Sequence, residues 1–228
     1  MRLDKFVCKS TALSRAEVSN VLQNHQVKVD NKVFTNGAVQ IHENNTVSLD
    51  DRALTLRPFR YLLMHKPPNT LCSNIDENYP SIFNYIDIDH KSELHIVGRL
   101  DADTTGLVLI TDDGSWTFNI IKPEAQCNKV YRVQLRDELT EEAVSRLEQG
   151  VLLQGTEKVT LPAKIQIHGS KEVLLTITEG RFHQVKRMFR AVGNRVKGLH
   201  REQIGQVALD VDLGQWRYLS EAEVASFY

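Results

Sequence analysis

Cysteine is scarce in this chain, with three in 228 residues. Cys8, Cys72 and Cys127 are odd in number and far apart in sequence. That usage excludes a disulfide framework, offers no metal-ligand spacing and points to a reducing compartment. Long apolar runs are also missing: no stretch approaches the roughly 20 residues needed to span a bilayer. The first residues, Met1-Arg2-Leu3-Asp4-Lys5-Phe6, lack the apolar centre of a signal peptide. A cytoplasmic protein with no membrane partner is therefore expected. There is little net charge, −1 by formal count, so any polyanion-binding surface has to be a local patch. Familiar catalytic signatures are lacking as well. There is no Gly-Lys-Ser/Thr phosphate loop, no His-Glu-x-x-His zinc site and no Gly-x-Ser-x-Gly elbow.

What is present is ordinary for a globular protein: 41% hydrophobic and 25% charged residues. The length suits one large domain or a small and a medium one. In the first part, Leu3, Phe6 and Val7 have helical spacing. Ser14-Arg15-Ala16-Glu17 is a capping box opening a second helix. Val27-Lys28-Val29 and Lys32-Val33-Phe34 flank Asp30-Asn31, a hairpin with a turn able to take positive φ. Arg2, Lys5, Lys9, Arg15, Lys28 and Lys32 could line a basic face suited to phosphates. Asp50 to Pro58 is polar and aperiodic and reads as a linker. The expected division is thus 1–57, including the linker, and 58–228.

In the second part, Arg60–Met64, Lys129–Leu135, Ala163–His168, Val173–Thr178, Val196–Leu199 and Val207–Leu209 read as strands. Helices are expected after Ser115, after Thr140 with Gly150 as C-cap, from Phe182 to Val192 before Gly193, and after Ser220. Strands outnumber helices and come as neighbours. The expected class is α+β, an antiparallel-rich mixed sheet with packed helices following a small N-terminal α/β domain.

Two stretches carry chemistry. Gly98-Arg99-Leu100-Asp101-Ala102-Asp103-Thr104-Thr105-Gly106 is a Gly-bounded loop between two apolar segments, placing two acids and an arginine on a rigid scaffold. Read blandly, it is an acidic turn held by its own side chains. Between Gly180 and Arg201 there are seven Lys or Arg residues and no acid. On a helix starting near Phe182, residues 183, 186, 187 and 190 share one face, while Val185, Met188, Phe189 and Val192 form an apolar one. An exposed basic helix suits RNA phosphates. A cation site built from Asp101, Asp103, Asp112 and Asp113 would need a tight hairpin, because Leu107–Thr111 separates the two pairs.

These motifs also carry a resemblance. The N-terminal segment, through Arg2-Leu3-Asp4-Lys5-Phe6, Leu13-Ser14-Arg15 and Val27-Lys28-Val29-Asp30, resembles the small RNA-binding domain named after ribosomal small-subunit protein four. That implies RNA binding involving Arg2, Lys5, Arg15 and Lys28. The remainder resembles the pseudouridine synthases of the RsuA branch. The match rests on Gly98-Arg99-Leu100-Asp101 with Thr104-Thr105-Gly106-Leu107, on Lys129-Val130-Tyr131, and on Glu179-Gly180-Arg181-Phe182-His183-Gln184-Val185-Lys186-Arg187-Met188. The resemblance implies Asp101 as nucleophile, Tyr131 against the target uracil and Lys186 paired with Asp101. It also implies that Arg99, Arg181, His183, Gln184, Arg187 and Arg190 contact the RNA or the flipped nucleotide. The implied reaction is isomerisation of uridine to pseudouridine in ribosomal RNA, with no cofactor and no metal. The partner would be ribosomal RNA or a partly assembled subunit, met by a monomer. The chain carries no basic extension beyond these motifs, which within the branch points to small-subunit RNA. Large-subunit RNA is the alternative within the family. The rivals from other classes are a non-catalytic RNA-binding or ribosome-assembly factor and a metal-dependent RNA hydrolase. Where the branch has Asn-Lys-Pro-x-Gly, this chain has His65-Lys66-Pro67-Pro68-Asn69; Asn can still supply the positive φ of that turn.

Overall fold

A computed structural model describes residues 1–228. It divides into two compact units, Met1–Phe59 and Arg60–Tyr228. No helix is long and apolar enough to cross a membrane.

The first unit opens with α1 (Leu3–Ser10) and α2 (Arg15–Gln23). Ser14 and Glu17 close a reciprocal capping box at the start of α2. Four short strands follow, β1 (Val27–Val29), β2 (Lys32–Val33), β3 (Val47–Leu49) and β4 (Arg52–Ala53), in the order β2-β1-β3-β4. Asp30 and Asn31 turn between β1 and β2 with φ of 47° and 65°. Asp50 and Asp51 do the same between β3 and β4 at 48° and 63°. The stretch 50–58 therefore is not linker throughout: an Asp-Asp turn starts it and folds Arg52–Ala53 back onto β3. Leu3, Val7, Val18, Leu22, Val27 and Val47 fill the small core.

The second unit is built on one sheet. Its strands are β5 (Tyr61–Lys66), β6 (His95–Val97), β7 (Thr105–Thr111), β8 (Lys129–Leu135), β9 (Lys164–Gly169), β10 (Glu172–Ile177), β11 (Val196–Ile204), β12 (Val207–Ala208) and β13 (Trp216–Tyr218). The order is β13-β5-β7-β11-β8-β10-β9, with β6 paired to β7 and β12 to β11. All pairings are antiparallel except β7 with β11. The sequence expectation of an antiparallel-rich mixed sheet holds, with β11 longer than expected and β6 and β13 added.

Alternation explains the apolar run of β7. Val108 and Ile110 enter one core with Leu62 and Met64, while Leu107 and Leu109 enter a second with Leu63. Helices α4 (Glu141–Gln149) and α5 (Gln184–Ala191) send Leu147, Val185, Met188 and Phe189 into the first core. Helix α3 (Gly114–Ile121) sends Trp116 and Ile120 into the second, and α6 (Glu221–Ala225) adds Val224 there. The cap of α3 is Asp113, whose carboxylate accepts from Ser115 N and Trp116 N, and not Ser115 as expected. Asp113 stands just before the first turn and reaches its orphan amides, whereas Ser115, two positions later, lies within that turn.

Candidate active site

The loop from Gly98 to Thr104 connects β6 to β7 and is fixed by backbone contacts at several points. Thr104 N donates to Asp101 O at 3.1 Å, closing a turn that holds the Asp101 backbone. The fully buried Lys66, at the end of β5, donates from Nζ to Pro67 O (3.0 Å), Ala102 O (3.1 Å) and Thr104 O (2.9 Å). Burial lowers the pKa of this ammonium, and three carbonyl dipoles replace its lost water. Asn69 adopts φ 58° and donates from N to Ala102 O at 2.8 Å, so the turn survives with Asn in the glycine position. Gly106 begins the parallel pairing with Arg201 at φ +111°, and a Cβ there would lie 2.3 Å from Arg201 O. Only glycine fits at that approach.

Helix α5 brings the basic residues. His183 precedes it in the left-handed region, φ 48°, and turns the chain into the helix. Gln184 accepts from Arg181 N at 2.8 Å and donates to Glu179 Oε1 at 2.8 Å. Arg181 donates to Glu179 Oε2, Lys158 O and Val159 O at 3.0, 2.8 and 2.7 Å. These two residues, expected at the RNA, also hold the entry to α5. Gln184 is buried, and Glu179, just outside the acid-free stretch, organises both. Arg187 donates to Phe182 O (3.0 Å) and Gln154 O (2.5 Å), while Arg190 is exposed.

The loop and the helix meet at one ion cluster. Lys186 Nζ lies 2.9 Å from Asp101 Oδ2 and 2.6 Å from Asp103 Oδ1. His183 Nε2 is 3.4 Å from Asp101 Oδ1. Burial opposes the charge on Lys186, but its hydrogen bonds to the two carboxylates outweigh this and raise its pKa. For Asp103, burial works upward and Lys186 more strongly downward, leaving the carboxyl below its usual range. Asp103 is thus a second anion on the same lysine. Like charges on Asp101 and Asp103 are tolerable side by side because one ammonium bridges them.

Tyr131, on β8, is 7% exposed, and its hydroxyl accepts from Arg201 Nη1 at 3.3 Å. Arg201, counted at the sequence level among the basic surface residues, is 1% exposed. Its guanidinium also donates to Leu107 O (2.7 Å) and Gly98 O (2.8 Å), tying Tyr131 to both ends of the Asp101 loop. Sequence reasoning missed the roles of Arg201 and Lys66. A cation standing inside an otherwise apolar strand pattern was the available signal for Lys66. Arg99 lies exposed on the same loop.

The four acids of the rival cation site are separated by the seven residues of β7. Asp112 is bound to Arg60, and Asp113 caps α3 while accepting from the Tyr61 hydroxyl at 2.9 Å.

In the N-terminal unit the expected basic face is thinner than its sequence suggests. Lys9 is buried with its ammonium 4.1 Å above the Phe59 ring. Arg2 pairs with Asp4, and Lys28 with Asp51. Lys5, Arg15 and Lys32 are exposed.

A loop carboxylate paired with a lysine and close to a histidine can serve in acid–base or nucleophilic chemistry. Residues 60–191 match the family described as RNA pseudouridylate synthase. The chain is 45% identical to ribosomal small subunit pseudouridine synthase A of Vibrio cholerae over 100% of both chains. It is 42% identical to the protein of that name from Haemophilus influenzae over 98% of each. A crystal structure of a pseudouridylate synthase aligns with a TM-score of 0.74 at 40% identity, covering 100% of both chains. The chain belongs to the RNA pseudouridylate synthase family, and it is an isomerase of RNA uridine.

Proposed function

We propose that the substrate is a uridine of small-subunit ribosomal RNA and that Asp101 is the nucleophile. The observation that carries this reading is the placement of Asp101. It is the carboxylate contacted by both Lys186 and His183, in the middle of a loop whose backbone is pinned by Lys66 and Arg201. A positioned, ionised carboxylate can form a covalent intermediate and split one difficult step into two. Lys186 pairs with the carboxylate and fixes its direction. Tyr131 packs against the uracil once the nucleotide has left its stack, because chemistry on a base requires the base to be extruded. Arg99 stands beside the vacated place.

The reaction conserves every atom of the nucleotide. The bond from the sugar to ring nitrogen one breaks, the uracil turns, and the sugar carbon bonds to ring carbon five. Carbon five gives up its proton and nitrogen one gains one, so no external group or electron is required. The RNA is held by the charges of α5, with Arg190 exposed and Arg187 half-buried, and by the N-terminal unit through Lys5 and Arg15. Arg2 and Lys28 sit beside these within their acid pairs. The protein acts as a cytoplasmic monomer on free or partly assembled small-subunit RNA.

The test is to map pseudouridine in both ribosomal RNAs from a strain lacking the gene, complemented with wild type or with Asp101→Asn. One small-subunit pseudouridine should disappear in the deletion, return with wild type and stay absent with the variant. The purified variant should lose at least roughly a thousand-fold in rate while still binding RNA. A large-subunit position lost instead would reassign the substrate, and full activity of Asp101→Asn would remove the nucleophile.

A further inference from the structure

Phe182 has no part in the chemistry above, yet it is 76% exposed beside the ion cluster. Its ring stacks on the His183 imidazole, centroids 3.7 Å apart and planes 22° from parallel. That imidazole reaches Asp101. The backbone on either side is anchored: Arg187 donates to Phe182 O, and Arg181 is fixed to Lys158 O and Val159 O. A large apolar ring is thus displayed to solvent on a rigid stem, next to the nucleophile.

Extruding a uridine breaks its stacking with both neighbours. Those bases then need new apolar faces, and an aromatic ring serves any base because every base has a π-face. Tyr131 is buried on β8 and is suited to the extruded uracil itself. Phe182 is free on its outer face. We propose that Phe182, backed by His183, is the stacking platform for a nucleobase flanking the target uridine. This rests on the reading that the site takes an extruded RNA uridine, and it adds a substrate contact that is sequence-tolerant and independent of charge.

The test uses full-length protein and an in vitro transcript of small-subunit ribosomal RNA, with F182A, F182L, F182Y and F182W beside wild type. The side chain is mostly solvated, so all four should melt with wild type. F182A should weaken Kd and KM by roughly 5- to 100-fold, with the loss in KM rather than kcat. The slope of log affinity against log salt should not change, since no phosphate contact is removed. F182Y and F182W should restore affinity and F182L should not. The indole added in F182W should lose emission when RNA binds, beyond any change seen in wild type. Wild-type affinity in F182A, rescue by F182L equal to that by F182W, or unchanged indole emission would each overturn the proposal. Wild-type binding without pseudouridine formation would count against the activity instead, and the stacking would still be read from affinity and emission.

Discussion

Lys186 Nζ lies 2.9 Å from Asp101 Oδ2 across 85 residues of sequence, and the same ammonium reaches Asp103 at 2.6 Å. One cation therefore serves two carboxylates of one turn. Lys186→Met removes the ammonium that bridges the two carboxylates and helps hold the Asp103 carboxyl below its usual range. The expected outcome is a loss of at least about 100-fold in kcat/KM. Asp103→Asn keeps the Lys186–Asp101 contact and should cost no more than roughly ten-fold. Single-turnover assays across pH distinguish the two, and equal losses would show that Asp103 does more than share the lysine.

Arg201 joins Gly98 O, Leu107 O and the Tyr131 hydroxyl from a fully buried position. Arg201→Met strands these acceptors away from water. Urea denaturation should show a loss of roughly 2–4 kcal/mol. Activity measured where the variant is still folded should fall as well, because the Asp101 loop and Tyr131 lose their common tie. A stable variant with full activity would contradict that role.

Two of the arginines expected at the RNA differ in what they touch. Arg190 is exposed, and Arg190→Ala should weaken RNA binding and reduce the salt slope by about one. Arg181 is fixed to Lys158 O and Val159 O. Arg181→Ala should instead loosen residues 151–160, seen as faster amide exchange there. A reduced salt slope from Arg181→Ala comparable to that from Arg190→Ala would place its guanidinium on the phosphates.

Far from the loop, Glu223 accepts from Arg217 at 2.8 and 2.7 Å and from Ser220 N at 2.7 Å. The hydrogen bond from Arg217 comes first among the causes that bring its pKa from 4.5 down to about 2, against burial, with the Ser220 amide adding to it. A carboxyl with a depressed pKa contributes stability above its ordinary value and loses that contribution as pH falls through the folded one. Glu223→Gln should therefore cost roughly 1 kcal/mol near neutral pH after solvent screening. The difference from wild type should close between about pH 4.5 and pH 2. Thermal melts over that range are the measurement.

Local rules carried most of the secondary structure. The alternation of Lys129–Leu135, the capping box at Ser14, the Asp30-Asn31 turn and the glycine after Gln149 were all readable, because each depends on neighbours within a few residues. The Asp101 loop and the basic helix were readable as stretches. Their meeting was not legible from the residues: periodicity places Lys186 on a helix face and says nothing of an acid on another strand's loop, so only the family resemblance paired them. Burial of individual cations was illegible for the same reason. Arg201 and Arg181 look like their exposed neighbours in sequence. What separates them is the carbonyls brought by β7 and by the 151–160 segment. The second strand of the Asp50-Asp51 hairpin was hidden by its length of two residues.

The single parallel pairing, His200 with Thr105 and Arg201 with Gly106, joins segments about 95 residues apart. Strands running the same way place their incoming connections at the same end, and here those connections are the Asp101 loop and α5. Hairpins such as β9–β10 can form from adjacent chain, but this junction must wait for a long loop to close. Closure of this junction is therefore expected late in the folding of this domain. A chain stalled before that closure would hold most of its strands and bury much of its apolar surface, yet lack the contact between Asp101 and Lys186. The enzyme cannot act on RNA while half made.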